Sequence, residues 1–229
     1  MAARKPDSRV QSWGEVLRLH VKKGVSIHNC GKSGTSTETF RKIWENDLIG
    51  KVKEGDFVII QFGHNDQWPT EKRFLDQGEP ERFCTPAQYG RNIRRYIAEV
   101  RACKATPILL STTPVRDFSG KDGRFMEITE RKRPYMEMLS RIAEEDNVDF
   151  VDMLKIGNRV IAALGPERSK QLYICAFEGS DNVHPNECGA RIFAELFLAE
   201  IRSRKLSVAG LFPFHCEECK QEKKDGSSK

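Results

Sequence analysis

Short apolar runs alternate with longer amphipathic ones along this chain. The runs 25–29 (VSIHN), 56–62 (DFVIIQF), 107–114 (PILLSTTP) and 148–153 (VDFVDM) read as strands. The second is nearly continuous in apolar and β-branched residues, the pattern of a strand covered on both faces. Between them lie helical patterns. Residues 12–23 place Trp13, Val16, Leu17 and His20 on one stripe. Residues 85–104 open with Thr85 as a cap and Pro86 in the first turn. In residues 127–146 a proline either kinks or starts the helix. Residues 186–205 open with Asn186 as a cap and carry an apolar face of Ile192, Phe193, Leu196, Phe197 and Ile201. Strands alternating with helices predict an α/β fold, a parallel sheet between helical layers. Ligands in such folds bind beyond the carboxyl ends of the strands, so the residues following each strand come first.

The 229 residues suffice for one α/β domain with a full core, or at most two small domains. We expect that domain over 1–208 and a polar tail over 209–229. The composition, 38% hydrophobic and 31% charged, contains no run of the length a membrane span requires. The formal charge of +5 is spread along helix-like segments, which reads as solvated surface and argues against a nucleic-acid partner. Seven cysteines, an odd number, do not suggest a disulfide framework. Cys216 and Cys219 form one C-x-x-C beside His215, too little for a zinc site.

Two strand ends and the segment before the last helix carry chemistry-bearing residues. After 25–29 comes CGKSGTST, in which Gly31, Lys32 and Ser33 raise the possibility of a phosphate loop. The first glycine of that motif would fall on Ser26, inside the strand pattern. After 56–62 comes GHND, where Asn65 offers a side-chain amide to a developing oxyanion. Before the last helix comes SDNVHP. At a spacing of three, Asp181 can orient one nitrogen of His184 and leave the other as a general base. A capping aspartate beside a loop histidine would give the same letters.

Taken together, NCGKSGTST, VIIQFGHND and SDNVHP resemble the SGNH (GDSL-type) hydrolases, and among them the rhamnogalacturonan acetylesterase group, over roughly residues 1 to 205. The resemblance implies a flavodoxin-like three-layer α/β/α sandwich and an esterase needing no metal or organic cofactor. It implies that His184 is the catalytic base and Asp181 its orienting partner. The Gly34 N–H and the Asn65 amide would form the oxyanion hole, and the substrate would be an acetylated oligo- or polysaccharide. Gly31 and Thr35 depart from the family, which usually has alanine and arginine there.

The family's serine stands in a Gly-Asp-Ser-Thr motif after its first strand, ahead of a W-G helix resembling residues 12–17. Only twelve residues precede Trp13, and they contain no apolar strand. The expectation is therefore a chain lacking the first strand and its serine, with strand 25–29 either pairing 56–62 directly or leaving a gap. Asp7–Ser8 is no replacement, being too close to Trp13 and preceded by no strand. The start, MAARKPDSRV, has no signal-peptide core, and the compartment stays open because a leader could have been lost with the strand. The alternatives are a non-catalytic carbohydrate-binding relative or inactive fragment, and a nucleotide-binding protein built on the G-K-S stretch. Trp68, in the long segment after GHND, is either a stacking platform for a sugar ring or a packed loop anchor.

Overall fold

The structure is a computed structural model that describes residues 9–177 and 179–213. Its centre is a parallel sheet of three strands, β1 (Phe57–Gln61), β2 (Thr106–Leu110) and β3 (Asp149–Val151), in that order. The helices are α1 (Trp13–Val16), α2 (Arg41–Ile43), α3 (Lys72–Leu75), α4 (Pro86–Ala102), α5 (Arg133–Glu145), α6 (Met153–Arg168) and α7 (Glu187–Ser203).

Strand residues alternate between two cores. Phe57, Ile59, Ile108, Leu110 and Val151 pack with α1, α6 and α7. Val58, Ile60, Leu109 and Phe150 pack with α4, α5 and the segment around Phe40 and Trp44. Both faces are thus covered, which explains why these strands read as continuous apolar runs. The fold is a flavodoxin-like α/β arrangement of three layers.

Local signals account for the helix starts. Thr85 and Gln88 form a reciprocal capping box at α4, each side chain bonding the other's backbone N–H. Asn186 caps α7 through the Gly189 N–H at 3.1 Å. Pro134 lies in the first turn of α5, so this proline starts the helix.

Two expected elements differ. Residues 12–23 form only the single turn of α1 and a 3-10 turn, Leu17–Leu19. Trp13, Val16 and Leu17 are buried against the α7 side and Val21 packs partly on the same core, whereas Leu19 is 65% exposed. Residues 25–29 form no strand. They and β1 line one cavity of about 1130 Å³, and β1 pairs with β2 alone among the described residues. Among the described residues 25–29 pairs with no strand, so its apolar run joins no ladder. Helix α6 was not foreseen, because Gly157, Gly165 and Pro166 interrupt its pattern. Gly157 is required there: a Cβ would lie 2.7 Å from Pro114. Residues Ser207–Leu211 form a further 3-10 turn, and Val208 and Phe212 are buried in the first core. The C-x-x-C pair at 216 and 219 lies outside the described residues.

Candidate active site

The loop before α7 is held from several directions. The Tyr173 segment bonds it through Ile174 N–H to the His184 carbonyl and Cys175 N–H to the Asp181 carbonyl. Asn186, almost fully buried, donates its amide to the Gln171 and Tyr173 carbonyls at 2.9 Å each. Arg116 clamps Asn182 by a side-chain bond of 2.7 Å.

Within this frame Asp181 and His184 meet. Oδ1 of Asp181 accepts the backbone N–H groups of Val183 and His184 at 3.0 and 2.9 Å, which closes the turn. Its Oδ2 lies 2.8 Å from His184 Nδ1. Burial works against the charge of Asp181, but the two N–H groups and the imidazole outweigh it and hold the carboxyl below its usual range. With Nδ1 so engaged, Nε2 is the nitrogen left for proton transfer, and it makes no hydrogen bond among the described residues.

Gly34 and Asn65 line the same cavity as His184. Gly34 has φ +79°, a backbone that glycine adopts without strain, and its N–H bonds to no described residue. Asn65 donates one amide hydrogen to the Thr35 carbonyl at 3.0 Å, tying the two loops together and leaving its second hydrogen unused. Asp66 braces the same turn. Fully buried, it accepts Thr37 N–H at 2.8 Å, Thr37 Oγ1 at 2.6 Å and Gly63 N–H at 3.1 Å. Gly63 is favoured by its backbone, with φ +109°, and a Cβ there would also displace the Met136 methyl, 2.5 Å away. The four residues singled out from sequence are thus brought to one cavity, Asp181 through its contact with His184. No serine, threonine or cysteine side chain hydrogen-bonds to His184 among the described residues.

Gly31, Lys32 and Ser33 do not open a helix. A turn follows at Ser33 and Gly34, and the next helix begins at Arg41. A phosphate cradle needs a helix N-terminus directly after its lysine, so the nucleotide reading loses its structural basis. No helix of the described residues is long and apolar enough to cross a membrane.

The family model for GDSL-like lipases and acylhydrolases matches residues 2–192. The chain belongs to the GDSL-like lipase/acylhydrolase family. Rhamnogalacturonan acetylesterase RhgT of Bacillus subtilis is 28% identical over 181 residues, covering 79% of this chain and 70% of that protein. An acetylxylan esterase of Geobacillus stearothermophilus is 27% identical over 188 residues, covering 82% and 77%. The solved structure of Axe2, an acetylxylan esterase from that organism, superimposes with a TM-score of 0.59 at 26% identity, over 82% of this chain and 78% of that one. The uncharacterized esterase YxiM of Bacillus subtilis is 26% identical over 87% of this chain, which spans only 48% of the length of YxiM. Its structure gives a TM-score of 0.68 at 24% identity, covering 88% of this chain and 52% of that one. Membership of this family sits beside a cavity that gathers an Asp–His pair and two unused N–H groups.

No role for Asp66 or Lys132 is readable in the sequence, where His64 figures only as part of a possible tight turn. Burial, then the charges of Lys132, His184 and Arg82, push the His64 imidazole down to about 4. Burial pushes the Lys132 ammonium down to about 8. No motif marks Lys132, which precedes α5 in a stretch that looks like solvated charge.

Proposed function

We propose that this chain carries the acid–base and oxyanion machinery of a carbohydrate acetylesterase, with His184, Asp181, Gly34 and Asn65 in the roles their geometry suits. The observation that carries the reading is an Asp-oriented imidazole, its Nε2 unengaged, lining one cavity with two unused N–H donors. A serine Oγ attacks the acetyl carbonyl while His184 Nε2 takes its proton. The Gly34 N–H and the Asn65 amide donate to the oxygen that becomes negative. Collapse releases the sugar hydroxyl, which takes the proton back from His184. Water then adds to the acyl-enzyme with His184 again as base, and acetate leaves with serine restored. Asp181 supports the imidazolium throughout and keeps its own charge.

The serine is assigned to an extended segment seated in the cavity beside β1. Three features support this: an edge of β1 that pairs on one side only among the described residues, an apolar cavity lining that includes Ile27, Val58 and Phe62, and the presence of Asn65 and His184 in the same lining. A strand parallel to β1 would deliver its C-terminal residues to His184. The second reading is carbohydrate binding without turnover, favoured by the absence of a described hydroxyl or thiol bonded to His184.

The test is acetate release from acetylated xylo- and rhamnogalacturonan oligosaccharides by protein purified from its native source, with N-terminal peptide mapping of the same sample. Hydrolysis together with an apolar segment ending in Gly-Asp-Ser supports the esterase. Binding of the oligosaccharides without acetate release supports the second reading and overturns the first.

A further inference from the structure

A second cavity, about 320 Å³, adjoins the first, and the two share His64, Val115 and Val183. Its volume is roughly twice the ~150 Å³ that holds a benzene molecule. Apolar Leu154, Ile128 and Met126 line it together with Lys132.

Lys132 is a nucleophile that the proposed ester chemistry does not use. It is 4% exposed, and its amine makes neither an ion pair nor a hydrogen bond to any described residue. Buried lysines are ordinarily paired, because an uncompensated charge is costly out of water. Asp117 and Glu127 line the same cavity, yet neither forms an ion pair with Lys132. Burial alone acts on the amine and pushes it down to about 8, so roughly a tenth of it is free base at pH 7. His64, in the same lining, is neutral at that pH and adds no second cation. Desolvation in a largely apolar pocket is one way a lysine becomes a nucleophile toward carbonyl groups.

Gln67 supplies a second observation. It is 1% exposed, and its Oε1 is buried and unpaired, although its Nε2 donates to the Gly63 and His64 carbonyls. An orphaned acceptor in the same lining as a free amine suits an intermediate that carries a hydroxyl on the carbon the amine has attacked.

We propose that this cavity captures small, uncharged aldehydes as an imine on Lys132. The Nζ lone pair forms a bond to the carbonyl carbon, and one N–H proton passes to the carbonyl oxygen. The O–H of the resulting carbinolamine donates to Gln67 Oε1. The hydroxyl then leaves with the second N–H proton as water, and the carbon–nitrogen double bond forms. Asp117 and Glu127 are the carboxylates in the lining that can relay these protons. The same two carboxylates disfavour an anionic carbonyl compound, and the volume admits a molecule the size of benzaldehyde. The site stands apart from the esterase reading.

The probe is benzaldehyde with sodium cyanoborohydride at pH 7, added to the full 229-residue chain and followed by peptide mass spectrometry. Cyanoborohydride delivers hydride to the imine carbon and fixes it as a benzylamine. At pH 7 the free base is about 300-fold more abundant for an amine at about 8 than for one at 10.5. The lower basicity that frees the amine also slows its attack. Lys132 is therefore expected to label about tenfold or more faster than any other lysine. In concentrated urea that lead disappears. In Lys132→Met the fast-labelled fraction is lost and the slow labelling of surface lysines is unchanged. Labelling of Lys132 no faster than that of surface lysines, or a lead that survives in urea, overturns the proposal. The folded–unfolded comparison needs no variant and so survives a misfolded one. With 4-carboxybenzaldehyde most of the lead is expected to vanish; an equal lead overturns the preference for an uncharged ligand.

Discussion

Replacing Lys132 by methionine is expected to stabilise the protein. Methionine keeps the length and apolar stem of lysine and removes the charge. Burial lowers the Lys132 ammonium from 10.5 to about 8, a difference of about 2.5 pH units. At 1.36 kcal/mol per unit, the folded state carries a penalty of roughly 3 kcal/mol for holding that charge. Allowing for imperfect packing of the thioether, Lys132→Met gains about 1–3 kcal/mol at pH 7, or roughly 3–10 °C in Tm for a chain of this size. The sign with pH is fixed by proton counting. Between pH 8 and 10.5 the unfolded chain binds more protons at this residue than the folded one, so wild-type stability rises with pH across that window. The penalty is complete below pH 8 and gone above 10.5. The gap between variant and wild type is therefore widest at or below pH 8 and closes by pH 10.5. Urea unfolding of both proteins from pH 6 to 10.5 measures it. A variant less stable than wild type at pH 7, or a gap that ignores pH, refutes the premise that the ammonium has no partner.

The other expectations are briefer. His64, depressed from 6.5 to about 4, binds fewer protons in the folded than in the unfolded chain between those values, so stability falls as pH drops from 6.5 to 4. His64→Gln should flatten that part of a stability-versus-pH curve, and ring NMR should show the His64 pKa rising in Lys132→Met. In the active native protein, Asn65→Ala should lower kcat by about 10²–10³-fold with little change in KM, since the amide serves charge present only in the transition state. Gly189→Ala should cost about 2 kcal/mol or more, read by urea unfolding, because its Cβ would press into the Leu172 carbonyl oxygen at the cap of α7.

The sheet was legible because its three strands are buried on both faces and announce themselves as apolar runs. Helices α4, α5 and α7 were legible from Thr85, Pro134 and Asn186, whose start signals the structure uses. Residues 25–29 carry the composition of a strand, yet a strand is a relation between two segments, and no described segment pairs with them. The contact of Asp181 with His184 follows from a local turn, so a spacing of three was enough to suggest it. Gly34 and Asn65 are 31 positions apart, and only the family resemblance joined them. Lys132 gave no signal, because its meaning lies in burial and in the lack of a partner, neither of which is written in neighbouring residues. Gln67 was hidden for the same reason.

The measurement that tests the central claim most directly is active-site labelling of the native-source protein with a fluorophosphonate, followed by peptide mass spectrometry, in wild type and His184→Ala. The account predicts one labelled serine, on a segment outside residues 9–213, and loss of labelling in the variant. Labelling that persists at full rate without His184, or acetate release with no labelled serine, would contradict it.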